Sequence, residues 1–217
     1  MQLETRNIGF RYPKGPWVFQ GVDLVIKPGE IVGLIGPSGC GKSTLGRILA
    51  GYEIPNEGNI IIQDSLQSVS HSSSVQLVFQ HPEKAVNPRW KMEDILNEGW
   101  HPDDKLLSSL GIEKEWLHRW PHELSGGELQ RFCIARSLGP NTRFLIADEM
   151  TTMLDAITQA QIMHAVLKIA QKRELGMLII SHEWHLIQRL CNRVVQWDPK
   201  KLNFYETGFT KAYEQFA

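Results

Sequence analysis

Apolar residues recur along the chain in two rhythms, short unbroken runs and longer stretches spaced three and four apart. This predicts strands interleaved with helices. Unbroken runs lie at 144–147 and 177–180, with largely apolar stretches at 31–35 and 75–79, as expected of strands covered on both faces in a parallel sheet. Residues 2–27 instead alternate in part, most clearly at Val22, Leu24 and Ile26, around a loop at Tyr12-Pro13-Lys14-Gly15-Pro16, and predict antiparallel strands. Pro28-Gly29 then turns the chain into the run at 31–35. Further on, Glu57-Gly58 marks a turn before a strand at 59–63, and the serine-rich stretch 64–74 reads as a surface connection. Pro82 and Pro88 argue against a continuous helix through 80–88, and 92–138 reads as short helices. Residues 155–175 carry Ile162, Val166 and Ile169 on one helical stripe, with Met163, Leu167 and Ala170 beside it and Gly176 directly after. A short helix to Leu190 and a strand at 193–197 follow, while 200–217 carries little pattern.

Between the run at 31–35 and a helix ending near Ala50, with Gly51 at its C′ position, stands a glycine-rich turn. Gly36, Pro37, Ser38, Gly39, Cys40, Gly41, Lys42 and Ser43 fit G-x-x-x-x-G-K-[ST]. The glycines let backbone N–H groups wrap a polyphosphate, and the helix start turns its positive dipole end toward the same anion. Lys42 adds a full charge, Ser43 offers a hydroxyl to a phosphate-bridging Mg²⁺, and Cys40 is a small residue in the loop.

Two further places combine polarity with helix or strand ends. Ser125 and Glu128 have capping-box spacing, with Leu124 and Leu129 at the staple positions, so a helix starts there and runs to Leu138 before Gly139-Pro140. Gly126 and Gly127 weaken its first turn, which suggests the close approach of an anion. The run at 144–147 ends in two acids, Asp148 and Glu149, at the strand end where open α/β sheets bind ligands. The run at 177–180 likewise delivers Ser181-His182. His182 and His185 have metal-ligand spacing but lack an evident third ligand.

Charge narrows the functions further. With 23 Lys and Arg against 24 Asp and Glu, no global positive field favours nucleic acid. Three scattered cysteines without a C-x-x-C pair fit a reducing cytosolic compartment, and no apolar run approaches the ~20 residues of a membrane-spanning helix. Trp90, Trp100, Trp116 and Trp120 crowd the helical stretch and are expected to pack in the core, with an exposed partner-facing patch as the alternative.

Taken in order, the motifs closely resemble the nucleotide-binding subunit of an ABC transporter over nearly the whole chain. GPSGCGKST, from Gly36 to Thr44, resembles Walker A; Gln80 the Q-loop; LSGGELQR, from Leu124, the signature; and FLIADE, ending in Asp148 and Glu149, Walker B. Leu154-Asp155 fits the D-loop, Ser181-His182 the H-loop, and Tyr12 the aromatic A-loop, with Trp17 as a competitor. The resemblance implies an α/β P-loop NTPase with a mainly parallel core sheet, an N-terminal antiparallel β subdomain and an inserted α-helical subdomain. It is one ATPase domain over 1–217, with 1–79 and 141–217 in the RecA-like core and about 80–140 helical.

It further implies that two subunits pair head to tail around two ATP molecules. The Walker A residues and Tyr12 would hold one nucleotide, while Ser125, Gly126, Gly127 and Glu128, with the D-loop Asp155, would complete the partner's site. Asp148, Ser43 and Gln80 would hold Mg²⁺, Glu149 would act as general base or orient the attacking water, and His182 would contact the γ-phosphate. The stretches at 78–90 and 148–162 look most like ATPases of peptide, nickel and metal-chelate importers. Such a subunit lies on the cytoplasmic face of the membrane under permease subunits, served by an extracellular or periplasmic solute-binding protein. The alternative is a non-transport ABC ATPase acting on DNA or the ribosome. Met150 replaces the family's usual proline, implying a less rigid turn at Glu149, and Met153 replaces an alanine before the D-loop. The chain ends soon after its last predicted strand, so regulation through a longer carboxyl-terminal extension is not expected.

Overall fold

The computed structural model describes residues 2–62 and 74–207, so the connection expected over 64–74, except Ser74, lies outside the described residues, as do residues 208–217. Nine strands are present among the described residues: β1 (Leu3–Arg11), β2 (Trp17–Ile26), β3 (Ile31–Ile35), β4 (Glu57–Ile62), β5 (Val75–Val78), β6 (Phe144–Asp148), β7 (Gly176–Ile180), β8 (Arg193–Asp198) and β9 (Asn203–Thr207). The α-helices are α1 (Lys42–Leu49), α2 (Met92–Leu96), α3 (Asp104–Ser109), α4 (Gly126–Ser137), α5 (Ala156–Arg173) and α6 (Trp184–Leu190).

Strands β2, β1 and β4 form an antiparallel sheet in that order, and the second sheet runs β5-β6-β7-β3-β8-β9. Its pairings are parallel from β5 through β8 and antiparallel between β8 and β9. The unbroken apolar runs have the expected cause. In β6, Phe144 and Ile146 face one hydrophobic cluster while Leu145 and Ala147 face the other; in β7, Leu178 and Ile180 oppose Met177 and Ile179 in the same way. One cluster joins the sheet to α1 and the antiparallel strands, and the other joins it to α2–α6. Central strands buried on both faces have no polar side to alternate with.

Helix α4 begins as its sequence requires. The Ser125 hydroxyl accepts from the Glu128 N–H at 3.3 Å, and the Glu128 carboxylate accepts from the Ser125 N–H at 2.7 Å. Gly51, with φ 79°, follows α1 as expected. Helix α5 ends earlier than its apolar stripe suggests, because Glu174 adopts a left-handed φ of 53° and caps it, and Gly176 already belongs to β7.

One expectation is corrected, and a stretch with no expectation acquires an element. The four tryptophans do not share one role: Trp116 is buried and Trp100 is half-buried with its indole N–H donating to Arg136 O at 2.9 Å, whereas Trp90 and Trp120 are 40% and 36% exposed. Residues 203–207, which carry little pattern, form an edge strand. Only Phe204 and Thr207 of β9 are buried, so its strand identity comes from pairing with β8 rather than from hydropathy.

Candidate nucleotide site

The phosphate turn joins β3, held between β7 and β8, to the start of α1. Gly41 is the N-cap with φ 101°, and a Cβ there would stand 2.6 Å from Val18 Cγ1, so only glycine fits. No acidic side chain occupies the first turn of α1 to compete with an anion. Lys42 is only 6% exposed, and its ammonium donates to the carbonyls of Gly36 and Pro37 at 2.8 and 2.9 Å. The loop therefore holds its own cation curled under the turn, at the place where a phosphate's negative charge would be met. Burial raises the Cys40 thiol above its ordinary range, with Lys42 partly opposing the effect. In its neutral form the thiol is a small, unreactive part of the loop wall.

Strand β6 brings the acids to this turn. Ser43 Oγ donates to Asp148 Oδ1 at 3.0 Å. Burial raises the Asp148 carboxyl above its ordinary pKa, the Ser43 hydrogen bond opposes that, and the nearby Glu149 charge adds to it. Glu149 sits at the strand end with a left-handed φ of 47°, its N–H donating to Ile180 O at 3.0 Å. One oxygen of its carboxylate accepts from Gln80 Nε2 at 2.9 Å, and the other lies 3.4 Å from His182 Nδ1. Two residues from two other strand ends are thus gathered around the Glu149 carboxylate. The Met150 side chain is 4% exposed in the hydrophobic core, so packing anchors the turn where the family usually has proline. Met153 is 63% exposed and lies on the surface rather than inside its own loop.

Tyr12 lies over the same region. Its hydroxyl is 3.2 Å from Thr44 Oγ1 and its ring meets Phe10 edge-on, leaving it well exposed. Trp17 has the Arg11 guanidinium 4.9 Å from its ring centroid, so one face is already covered. Of the two aromatics, Tyr12 is the one joined to the phosphate turn.

The remaining residues form a second group. Ser125, Gly126, Gly127, Glu128, Met153, Leu154 and Asp155 line a cleft of about 320 Å³ that contains no residue of the phosphate turn. The Asp155 carboxylate accepts from the N–H groups of Ile157 and Thr158 at 3.1 and 3.0 Å and so caps α5. The Thr158 side chain foremost, and then those backbone N–H groups, hold its carboxyl below the ordinary range. Glu128 is turned back onto its own helix cap.

Two residues at the site carry no motif-based expectation. Thr152 Oγ1 accepts from Gln80 Nε2 at 3.3 Å, and Gln130 Nε2 donates to Phe79 O at 3.2 Å, tying α4 to the chain just before Gln80. Gln130 lies within LSGGELQR, which is a signal of position but not of partner.

A phosphate turn between a buried strand and a helix, met by an acid from a nearby strand of one mainly parallel sheet, defines a P-loop NTPase. The chain belongs to the ABC transporter family, whose match covers residues 19–152, and it is an ATP-binding, ATP-hydrolysing subunit of that family. The nickel import ATP-binding protein NikE of Escherichia coli (strain K12) is 36% identical over 200 residues, covering 83% of this chain and 75% of that protein. NikE of Shigella boydii matches with the same identity and coverage. Among solved structures, the ATP-binding cassette MJ0796, dimeric in a post-hydrolysis state bound to ADP and Pi, is 24% identical with a TM-score of 0.78, covering 95% of this chain and 98% of that one. CbiO1 from Clostridium perfringens, part of the ABC transporter complex cbiONQ, is 22% identical with a TM-score of 0.79, covering 99% and 91%. These two likenesses concern the fold. Among the described residues no helix is long and apolar enough to cross a membrane.

Proposed function

We propose that the chain powers an importer of the nickel, peptide or metal-chelate class, working as one half of a head-to-tail pair of ATPase subunits. The observation that carries this reading is the division of the site: the Ser125–Gly127 turn opens into a cleft with no phosphate-turn residue in it. A helix start built to meet an anion, but facing away from its own chain's phosphate turn, is completed by the nucleotide of a second subunit. The similarity to NikE supports the importer class, and membership of a transporter family favours transport over action on DNA or the ribosome.

In this reading Tyr12 stacks on the adenine. The N–H groups of Gly36 and of residues 38–44, with the Lys42 ammonium, hold the β- and γ-phosphates, and Lys42 exchanges its loop carbonyls for phosphate oxygens. Ser43 and Asp148 fit a Mg²⁺ ion: both offer hard oxygen donors 3.0 Å apart, and a cation would relieve a carboxylate that burial disfavours. When bound, Mg²⁺ would supply positive charge against the nucleotide's phosphates. Gln80 contributes its amide to the same place. Glu149 orients the attacking water and accepts its proton, while His182 fixes the carboxylate and reaches the γ-phosphate. Ser125, Gly126 and Gly127 stabilise the partner's γ-phosphate, and Asp155 shapes that approach by holding the start of α5. Glu128 acts through the cap and does not touch phosphate.

The subunit sits at the cytoplasmic face of the membrane. A groove of about 460 Å³ between β5 and α4, with Tyr52, Phe79, Trp100 and Arg136 among its walls, suits a docking segment of a permease subunit. A solute-binding protein completes the system. Nucleotide binding tests the core of this assignment: Lys42→Ala weakens ATP binding by about ten- to hundredfold, and wild-type affinity in that variant contradicts the cradle.

A further inference from the structure

Gln80 is held by more than the carboxylate it serves. Its side-chain nitrogen donates to Glu149 Oε2 at 2.9 Å and to Thr152 Oγ1 at 3.3 Å. The Thr152 hydroxyl proton is itself committed, because Oγ1 donates to Glu149 O at 3.0 Å, and the Thr152 N–H reaches the same carbonyl at 3.2 Å. A hydroxyl with its proton engaged has only lone pairs to offer, and an ionised carboxylate also only accepts. Both acceptors therefore demand the NH₂ end of the Gln80 amide. The reverse orientation would set its carbonyl oxygen 2.9 Å from a carboxylate oxygen and deprive Thr152 of its donor. The amide oxygen is left without a hydrogen bond among the described residues, on the side away from both acceptors.

We propose that Thr152 is a positioning residue for ATP hydrolysis: its hydroxyl fixes the orientation of the Gln80 amide so that the carbonyl oxygen is free to serve the nucleotide-bound cation. The proposal rests on the reading of Gln80 and Asp148 given above. Glu149 alone could hold one N–H of the amide, but a single bond leaves rotation about it open. The second bond, to a group anchored on the Glu149 backbone, removes that freedom. The same short turn thus carries the carboxylate and the residue that aims its neighbour.

The test is Mn²⁺ binding in the presence of a non-hydrolysable ATP analogue, read from the electron paramagnetic resonance of free Mn²⁺. Thr152→Val removes the hydroxyl at nearly constant shape, and Thr152→Ser keeps it. The valine variant binds Mn²⁺ about three- to tenfold more weakly, the serine variant binds as wild type, and metal-free nucleotide affinity is unchanged in both. In a Gln80→Ala background, Thr152→Val has no further effect, because the residue it acts through is gone. Where the valine variant fails to fold, Thr152→Ala is read in the same way. Wild-type Mn²⁺ affinity in the valine variant, or an equal loss in the Gln80→Ala background, overturns the proposal. A wild-type chain that binds no Mn²⁺ with the analogue overturns the reading of the metal site instead.

Discussion

The hydroxyl of Ser43 and the carboxylate of Asp148 meet at 3.0 Å although 105 positions separate them. One stands in the first turn of α1 and the other ends β6, so their meeting depends on the sheet that holds β3 and β6 on either side of β7. The fold positions a buried acid against the phosphate turn, and that acid is uncomfortable there without a cation.

Replacing Asp148 by Asn separates the two sides of this arrangement. Burial favours the protonated carboxyl in the folded chain, so the folded state binds more protons than the unfolded one above the ordinary value of 3.8. Stability therefore falls as pH rises from there through the raised folded value, and the nucleotide-free protein carries the cost once that carboxyl ionises. Asp148→Asn keeps the Ser43 hydrogen bond and removes the charge. The expected thermal midpoint of the nucleotide-free protein at pH 7 is unchanged or raised by up to about 4 °C, while the effect of Mg²⁺ on ATP binding is lost. A lower midpoint with Mg²⁺ dependence intact contradicts the assignment.

Gly126 and Gly127 are adjacent but serve different ends. A Cβ at Gly127 would stand 2.8 Å from Thr158 Cγ2, so α5 excludes one, whereas a Cβ at Gly126 would meet only Leu154 Cδ2 at an ordinary 3.9 Å. Nothing within the described chain requires Gly126 to lack a side chain. Gly126→Ala is expected to leave the thermal midpoint unchanged or slightly raised, since alanine is the better helix residue, yet to lower ATP hydrolysis by the partnered subunits at least tenfold, roughly the loss of one phosphate contact. Gly127→Ala is expected to destabilise by about 1–3 kcal/mol. Calorimetry beside a hydrolysis assay distinguishes them, and a Gly126→Ala variant with full activity would remove the reason for an anion from outside the chain.

The central strands and the start of α4 were legible in the sequence because each has a local cause. Residues 144–147 and 177–180 are apolar on both faces, and Ser125 and Glu128 satisfy each other's backbone within one turn. The phosphate turn was legible for the same reason, since its glycines answer a local backbone demand. Features that depend on distant partners were not. Strand β9 exists through β8, and the burial of Trp116 but not Trp120 follows from how the helices pack. Thr152 finds Gln80 across 72 positions, and no spacing rule announces a hydroxyl whose partner lies on another strand end. Met150 shows the converse, a departure from the family pattern whose buried side chain anchors the turn in place of a proline ring.

The central claim is that Glu149, gripped by Gln80 and His182, is the group that activates water for ATP hydrolysis. Single-turnover hydrolysis by Glu149→Gln, measured beside its ATP affinity in the assembled subunits, tests it most directly. The expected result is wild-type affinity with hydrolysis slowed by about 10²–10⁴-fold. Hydrolysis within a few-fold of wild type would mean that another group takes the proton.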